Sequence, residues 1–299
     1  MIPSTPIAPF VASPLCFPDG GSYRIEIPSC EGPAALRAVL AEADRRNVRI
    51  NRVSQGSGIY MLTNDELAEM NELGRANRVE VCLFVGPRGS WGTGAQSRSA
   101  GGAALGACLR GPREFAAGNA DIERAVAYGI RSVLVADLGH LSVLGTARAA
   151  GDLPDDLVFK TSVALPVANA AAARVLADLG ADTLNVASDL DGEALASIRA
   201  AVDLPLDLYI ESPDDLAGIV RLHETGELAT IGAPMHLKFA VRNAPSIYPA
   251  GAHHASTIEA LMHERVRRAA LGIEQLQRTA PTLTQSDGVD YANRTGRAR

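Results

Sequence analysis

The feature that most constrains this chain is a rhythm of eight short apolar runs, each closing on polar residues. They are YRIEIPS (23–29), VRINRVS (48–54), EVCLFVG (80–86), SVLVADL (132–138), LVFKTSV (157–163), TLNVAS (183–188), LDLYIES (206–212) and HLKFAV (236–241). Their centres fall roughly 25 residues apart, with one longer step between the third and the fourth. That spacing is a strand, a loop, a helix and a return, eight times over. Helix-like segments fill most intervals: GPAALRAVLAEADRR, NDELAEMNELGRAN, GNADIERAVAYG, NAAAARVLADLG, GEALASIRAAV and DDLAGIVRLHETG. Several open on Asp or Asn and several close at Gly, residues that satisfy the orphan groups of helix ends. The expected fold is therefore α/β, a single-domain (β/α)8 TIM barrel over residues 23–277. Chemistry in such a barrel sits at the carboxyl ends of the strands.

Alternation within the runs sorts their side chains, because every second residue of a barrel strand points inward. One parity is apolar almost throughout: Ile25, Ile27, Val81, Leu83, Leu134, Phe159, Val186, Leu208, Ile210, Leu237 and Phe239. The other holds Arg24, Glu26, Asn51, Asp137, Lys160, Ser162, Asn185, Tyr209, Glu211, His236 and Lys238. A barrel interior is ordinarily filled by branched apolar residues. Buried charges are costly unless paired. A polar catalytic or ligand-binding pocket accounts for this parity, and so does a structural salt-bridge network.

At 299 residues the chain fits one α/β barrel, and its hydrophobic content of 47% is ample for a core. No apolar run approaches the roughly 18–20 residues that span a bilayer. The proline-rich start lacks a basic leader region, so residues 1–22 read as an extended arm on the barrel. A net charge of −6 argues against nucleic acid or an anionic membrane as the partner. Cys16, Cys30, Cys82 and Cys108 form no CxxC pair and match no zinc spacing, so they read as free thiols of a cytoplasmic protein. A small-molecule substrate is the expected partner, and homo-oligomerisation stays open.

Two insertions flank the expected mouth. Residues 86–111 are rich in Gly and Ser and carry the chain's single tryptophan, Trp91, the composition of a lid or clamp. They contain no GxxxxGK[ST] phosphate loop. The stretch after the eighth run offers Arg242, Asn243, Tyr248, His253 and His254 at the rim. STIEALMHERVRRAALGIEQLQR then reads as a closing helix, and residues 278–299, without apolar period, as a disordered tail.

Chemistry is expected from Lys160, Glu211, Lys238 and Asp137. A poorly solvated lysine loses its proton near neutral pH and serves as base or Schiff-base nucleophile; kept charged, it holds an anion. Glu211 and Asp137 end their runs where a general base would face substrate. Glu26, Asn51, Gln55, Arg88, Trp91, Asn185, Tyr209, His236, Arg242 and Asn243 are the expected substrate-binding set. Arg88 and Arg242 suit a carboxylate or phosphate clamp. No motif names a cofactor; a divalent metal, if one is used, would take its oxygen ligands from Glu26, Asp137 and Glu211.

The runs RINRVSQGSGIYMLTNDELAEM, LFVGPRGSWGTGAQ, RSVLVADLGHLSVL, GADTLNVASDLDGEALASIRAAVDLPLDLYIESPDD and LKFAVRNAPSIYPAG together resemble bacterial U32-family peptidase-like proteins. The resemblance implies a barrel. It transfers no residue roles: the family's Glu, His-Gly and Cys signature has no match here. The cysteines that hold an iron–sulfur cluster in some relatives have no recognisable counterparts either. Three functions follow: a lyase or isomerase moving a proton beside a carboxylate or carbonyl, a peptidase-like hydrolase with metal-activated water, or a non-catalytic metabolite-binding barrel.

Overall fold

Eight parallel strands form one sheet in the order β5-β4-β3-β2-β1-β8-β7-β6, the topology of a (β/α)8 barrel. The computed structural model describes residues 11–92, 96, 99, 106–165 and 167–289. The strands are β1 (Tyr23–Pro28), β2 (Arg52–Ser54), β3 (Glu80–Phe84), β4 (Ser132–Val135), β5 (Val158–Thr161), β6 (Leu184–Asn185), β7 (Leu206–Glu211) and β8 (Met235–Phe239). The seam between β5 and β6 is closed by a bridge from Lys160 to Thr183, with Thr161 N donating to Thr183 O at 3.0 Å.

Among the described residues eight α-helices surround the sheet: α1 (Pro33–Arg46), α2 (Asn64–Asn77), α3 (Gly111–Ala127), α4 (Leu138–Ala150), α5 (Ala170–Asp178), α6 (Gly192–Ala201), α7 (Thr225–Gly232) and α8 (Ala255–Thr279). Local chemistry sets their starts. Thr63 and Glu66 form a reciprocal capping box on α2, while Asn169 and Asp191 accept the first free amides of α5 and α6. The outward parity of the strands packs beneath these helices: Ile25, Ile27, Leu83, Phe159, Leu208, Leu237 and Phe239 are fully buried in the core. Each contributes about 1.5–3 kcal/mol of burial free energy.

Three expectations change. DDLAGIVRLHETG is not a helix. Ala217 and Gly218 take left-handed backbone, Glu211 bridges to Val220, and α7 begins only at Thr225. Strand alternation on β2 and β4 is opposite to that expected: Arg52 and Ser54 face the interior, and Leu134 lines the mouth while Val133 and Val135 pack in the outer core. Asn51 instead accepts from Ile25 N at 2.9 Å and donates to Ser286 O at 2.8 Å.

The third concerns the tail. Residues 281–289 lie across the amino end of the barrel, where Ser286 N donates to Tyr23 O at 2.9 Å and Arg24 Nε donates to Ser286 Oγ at 3.0 Å. Phe17, from the segment preceding β1, packs edge-on against His236 at 5.4 Å from the other side. Polar partners on Asp19, Arg24 and Asn51 hold this segment where an apolar period would not, which is why hydropathy reads it as disordered. Residues 290–299 lie outside the described set.

Candidate functional site

Two polar layers stack inside the barrel. The lower one is an ion network among Glu26 (β1), Arg52 (β2), Glu80 (β3), Lys160 (β5), Asp207 (β7) and Lys238 (β8). Arg52 lies 2.7 Å from Asp207, 2.8 Å from Glu80 and 3.4 Å from Glu26. Lys160 Nζ donates to Glu26 and lies 3.4 Å from Asp207. Hydroxyls complete the carboxylates: Ser54 donates to Glu26 at 2.7 Å, Ser132 to Glu80 at 2.6 Å, and Thr183 to Asp207. Three acids thus face three bases, and the layer is charge-neutral without a ligand.

The electrostatics follow from that balance. Burial alone would raise the Glu26 carboxyl, but Lys160, Lys238 and Arg52 outweigh it and bring it down to about 2. Burial opposes ionisation of Asp207 in the same way, and Lys160, Arg52 and His236 drive it well below its ordinary range. His236, whose Nδ1 lies 3.0 Å from Asp207, is pushed down to about 4 by burial and by Arg52, so it is neutral at pH 7.

Above this network, at the carboxyl mouth, is a cavity of about 130 Å³. Its wall includes Ser54, Gln55, Phe84, Arg88, Ser162, Asn185, Tyr209, Lys238 and Tyr248. That volume is small beside the roughly 300–1,000 Å³ of clefts that take drug-sized ligands, and it suits a compact metabolite.

Lys238 is the charged group on the cavity floor. Its Nζ lies 3.9 Å from the centroid of the Tyr209 ring, and Glu26 Oε1 stands 3.7 Å away, beyond hydrogen-bond range. With its amide turned to satisfy both ends, Asn185 accepts from Lys238 at 2.8 Å and from Val163 N at 3.2 Å, and donates to Asp207 O at 3.2 Å. Burial lowers the Lys238 ammonium below its ordinary range against the pull of Glu26 and Asp207. Tyr209 moves the other way, since burial and Glu26 hold its phenol protonated.

Arg88 supplies the second cation. Its guanidinium lies 4.1 Å from the Phe84 ring centroid, 5.3 Å from Trp91 and 5.5 Å from Tyr248. One N–H donates to Gly56 O; Glu31 and Asp215, which also lines the cavity, act on the guanidinium, and neither forms an ion pair with it among the described residues. The loop beneath is tied down: Gln55 closes on Gly58 in both directions, at 2.9 and 3.0 Å, and Glu31 accepts from the amides of Gly56 and Ser57. A Cβ on Gly56 would meet Tyr248 Oη at 2.6 Å, so glycine lets that ring close the wall.

The structure therefore brings together Gln55, Arg88, Asn185, Tyr209 and Lys238 at the mouth, and places Lys160 and Glu26 one layer below. Trp91 stands behind Arg88. Asn51 and His236 belong to the amino end and do not line the cavity. Asp137 is the N-cap of α4, accepting from His140 N at 2.7 Å and Leu109 N at 3.1 Å. A register shift between Tyr209 and Glu211 turns Glu211 outward, where Arg268 of α8 lies 3.1 Å away and Arg242 N donates to it at 2.9 Å. Arg242 and Asn243 are held by Asp214 on the rim. Hence the three carboxylates expected to share a metal stand in three separate environments. Among the described residues no three His, Cys, Asp or Glu side chains converge as ligands.

Arg52, Glu80 and Asp207 are additions to the expected set. Asp207 and Glu80 share the inward parity of Tyr209 and Cys82, so alternation carried their signal. The described ends of the 86–111 insertion contribute Arg88 and Ala107 to the wall; the expected lid between them lies largely outside the described residues.

No family model matches this chain, and no curated protein matches it. Solved structures with a similar course include the U32 peptidase Mk0906, 17% identical, with 66% of this chain and 72% of that one covered and a TM-score of 0.43. Thiamine phosphate pyrophosphorylase from Pyrococcus furiosus is 13% identical over 86% of this chain and 98% of its own, TM-score 0.48. A 3-hexulose-6-phosphate synthase is 15% identical over 80% and 99%, TM-score 0.42. No helix among the described residues is long and apolar enough to cross a membrane.

Proposed function

We propose that this barrel is a small-molecule enzyme of lyase or isomerase type that moves a proton beside the carbonyl or carboxylate of a compact anionic substrate. The observation that supports this reading is Lys238: a lysine 2% exposed, on a cavity floor, with no carboxylate in hydrogen-bond range. Such an amine, its pKa lowered by burial, is suited to act as a general base. Arg88 would take the substrate's carboxylate, since its aromatic surround leaves the guanidinium edge without an acidic partner among the described residues. Tyr209 retains its proton and so contributes a cation-stabilising ring face rather than a second base.

A non-catalytic metabolite-binding barrel is the second reading, favoured by the self-compensated network of Glu26, Glu80 and Asp207 with Arg52, Lys160 and Lys238. The hydrolase reading gains nothing comparable, as Glu26, Asp137 and Glu211 do not meet. The discriminating experiment is deuterium wash-in. Small oxo and hydroxy acids are incubated with the protein in D2O and their carbon-bound protons followed by NMR. Protein-dependent exchange that Lys238→Met abolishes supports the enzyme. Thermal stabilisation by such acids without exchange favours the binding barrel, and neither effect contradicts both readings.

A further inference from the structure

We infer that Lys238 forms an imine with the carbonyl carbon of a small 2-oxo acid whose carboxylate rests on Arg88. The inference deepens the proton-transfer reading above and rests on it.

The two interior lysines are built for different tasks. Lys160 is fully buried and committed, its ammonium shared between Glu26 and Asp207. An amine so engaged has neither a free lone pair nor access to the cavity, whose wall does not include it. Lys238 has one hydrogen-bond acceptor among the described residues, Asn185 Oδ1 at 2.8 Å. An ammonium carries three donors, so this environment under-serves one. An iminium nitrogen carries a single N–H and a positive charge. The surroundings of Lys238 match that demand: one acceptor on Asn185, the face of Tyr209 at 3.9 Å, and a carboxylate counter-charge on Glu26 at 3.7 Å. The site is complementary to the cation formed after condensation, which is the condition for accelerating its formation.

The step balances without a co-reactant. The Nζ lone pair adds to the carbonyl carbon and two N–H protons pass to the carbonyl oxygen. The C–O bond breaks with loss of water, leaving a C=N bond whose nitrogen takes up one proton from solvent, the proton Lys238 sheds on becoming a neutral amine, and so stands as iminium. The iminium withdraws electrons from the adjacent carbon and eases loss of its proton to solvent; in this form Lys238 acts as the electron sink and no longer as the base. A carboxylate next to that carbonyl accounts for Arg88, whose guanidinium packs on Phe84 and Tyr248 without an acid partner among the described residues. The cavity of about 130 Å³ limits the acid to a short chain.

The test is reductive trapping on the full chain. The protein is incubated with pyruvate, 2-oxobutyrate or glyoxylate and sodium cyanoborohydride, with lactate as the carbonyl-free control. Intact mass and peptide mapping follow. The expected result is one adduct per chain, equal to the oxo acid less one water plus two hydrogens, located at Lys238 and absent with lactate. Lys238→Met should remove it, and mapping on the wild-type chain decides the matter even if that variant folds poorly. No adduct, or adducts spread over surface lysines, overturns the imine. Deuterium wash-in without trapping overturns the imine while leaving Lys238 as a base; absence of both overturns the two readings together.

Discussion

Lys160 and Glu26 join opposite walls of the barrel: the ammonium at the end of β5 donates to the carboxylate at the centre of β1, with both side chains fully buried. That contact crosses the axis and ties the lower polar layer into a single unit with Arg52 and Asp207. Its energetic consequence is specific. Lys160→Met takes the shared ammonium from Glu26 and Asp207 in a dry interior, leaving Arg52 to face three carboxylates, and should cost about 3–5 kcal/mol. Denaturant melts of Lys160→Met, Glu26→Gln and the double variant measure this, with partial recovery expected in the double. Additive losses would mean that the two groups do not act as a pair.

Lys238 behaves differently on this account. It holds no carboxylate in hydrogen-bond range, and Glu26 keeps Lys160 and Ser54 when Lys238 is neutralised. Lys238→Met should therefore destabilise the fold by clearly less than Lys160→Met, while abolishing exchange and trapping. Melting curves for the two variants side by side give the comparison, and an equal loss would return Lys238 to the structural frame.

Acid lability should begin well above the carboxylate range. His236 is depressed from 6.5 to about 4 in the folded state, as is His140, both chiefly by burial. The unfolded chain then binds more protons between those values, so stability falls as pH drops from 6.5 toward 4. Glu26 adds a second step with the same sign, because its folded value of about 2 lies below its ordinary 4.5. Urea melts from pH 7 to 4 should show the first loss, and His236→Asn should reduce it. A flat profile across that window would contradict neutral burial of these rings.

Closure of the amino end by the C-terminal segment is also testable. Removing residues 281–299 frees Asn51, Arg24 and the Tyr23 carbonyl from their partners on Ser286. Each bond contributes about 0.5–1.5 kcal/mol net. The truncated chain should melt several degrees lower and exchange its Ile25 and Asn51 amides faster. Unchanged melting and exchange would show the segment to be dispensable.

Much of this was legible in the chain. The spacing of eight apolar runs carried the barrel, because each strand's outward face must be apolar to pack under helices. Alternation carried Glu26, Lys160, Asn185, Tyr209 and Lys238 to the interior. It failed where both parities are polar or the backbone breaks period. On β2 both parities carry polar residues, Asn51 on one and Arg52 and Ser54 on the other, so hydropathy does not say which points inward; Arg52 and Ser54 do, and Val53 packs in the outer core. On β7, the register shift after Tyr209 sends Glu211 toward Arg268, and an unpaired extra residue leaves no trace in hydropathy. Asp137 was ambiguous in kind: an acid between strand and helix serves equally as a mouth ligand or an N-cap, and His140 N settles it as a cap.

Trp91 offers an optical report on the mouth. It stands 36% exposed, 5.3 Å from the Arg88 guanidinium and 6.4 Å from the Tyr60 ring. An acid seated on Arg88 should shift the emission of this single tryptophan, and Arg88→Met should weaken the binding so measured. Emission unchanged at saturating ligand would separate Arg88 from the binding site.

If proton transfer at the mouth depends on the neutral amine of Lys238, deuterium wash-in followed against pH reads that amine. Exchange into a bound oxo acid should rise with pH through a midpoint below lysine's ordinary 10.5 and vanish in Lys238→Met. Exchange that persists in Lys238→Met, or that never exceeds the protein-free rate, would contradict the account.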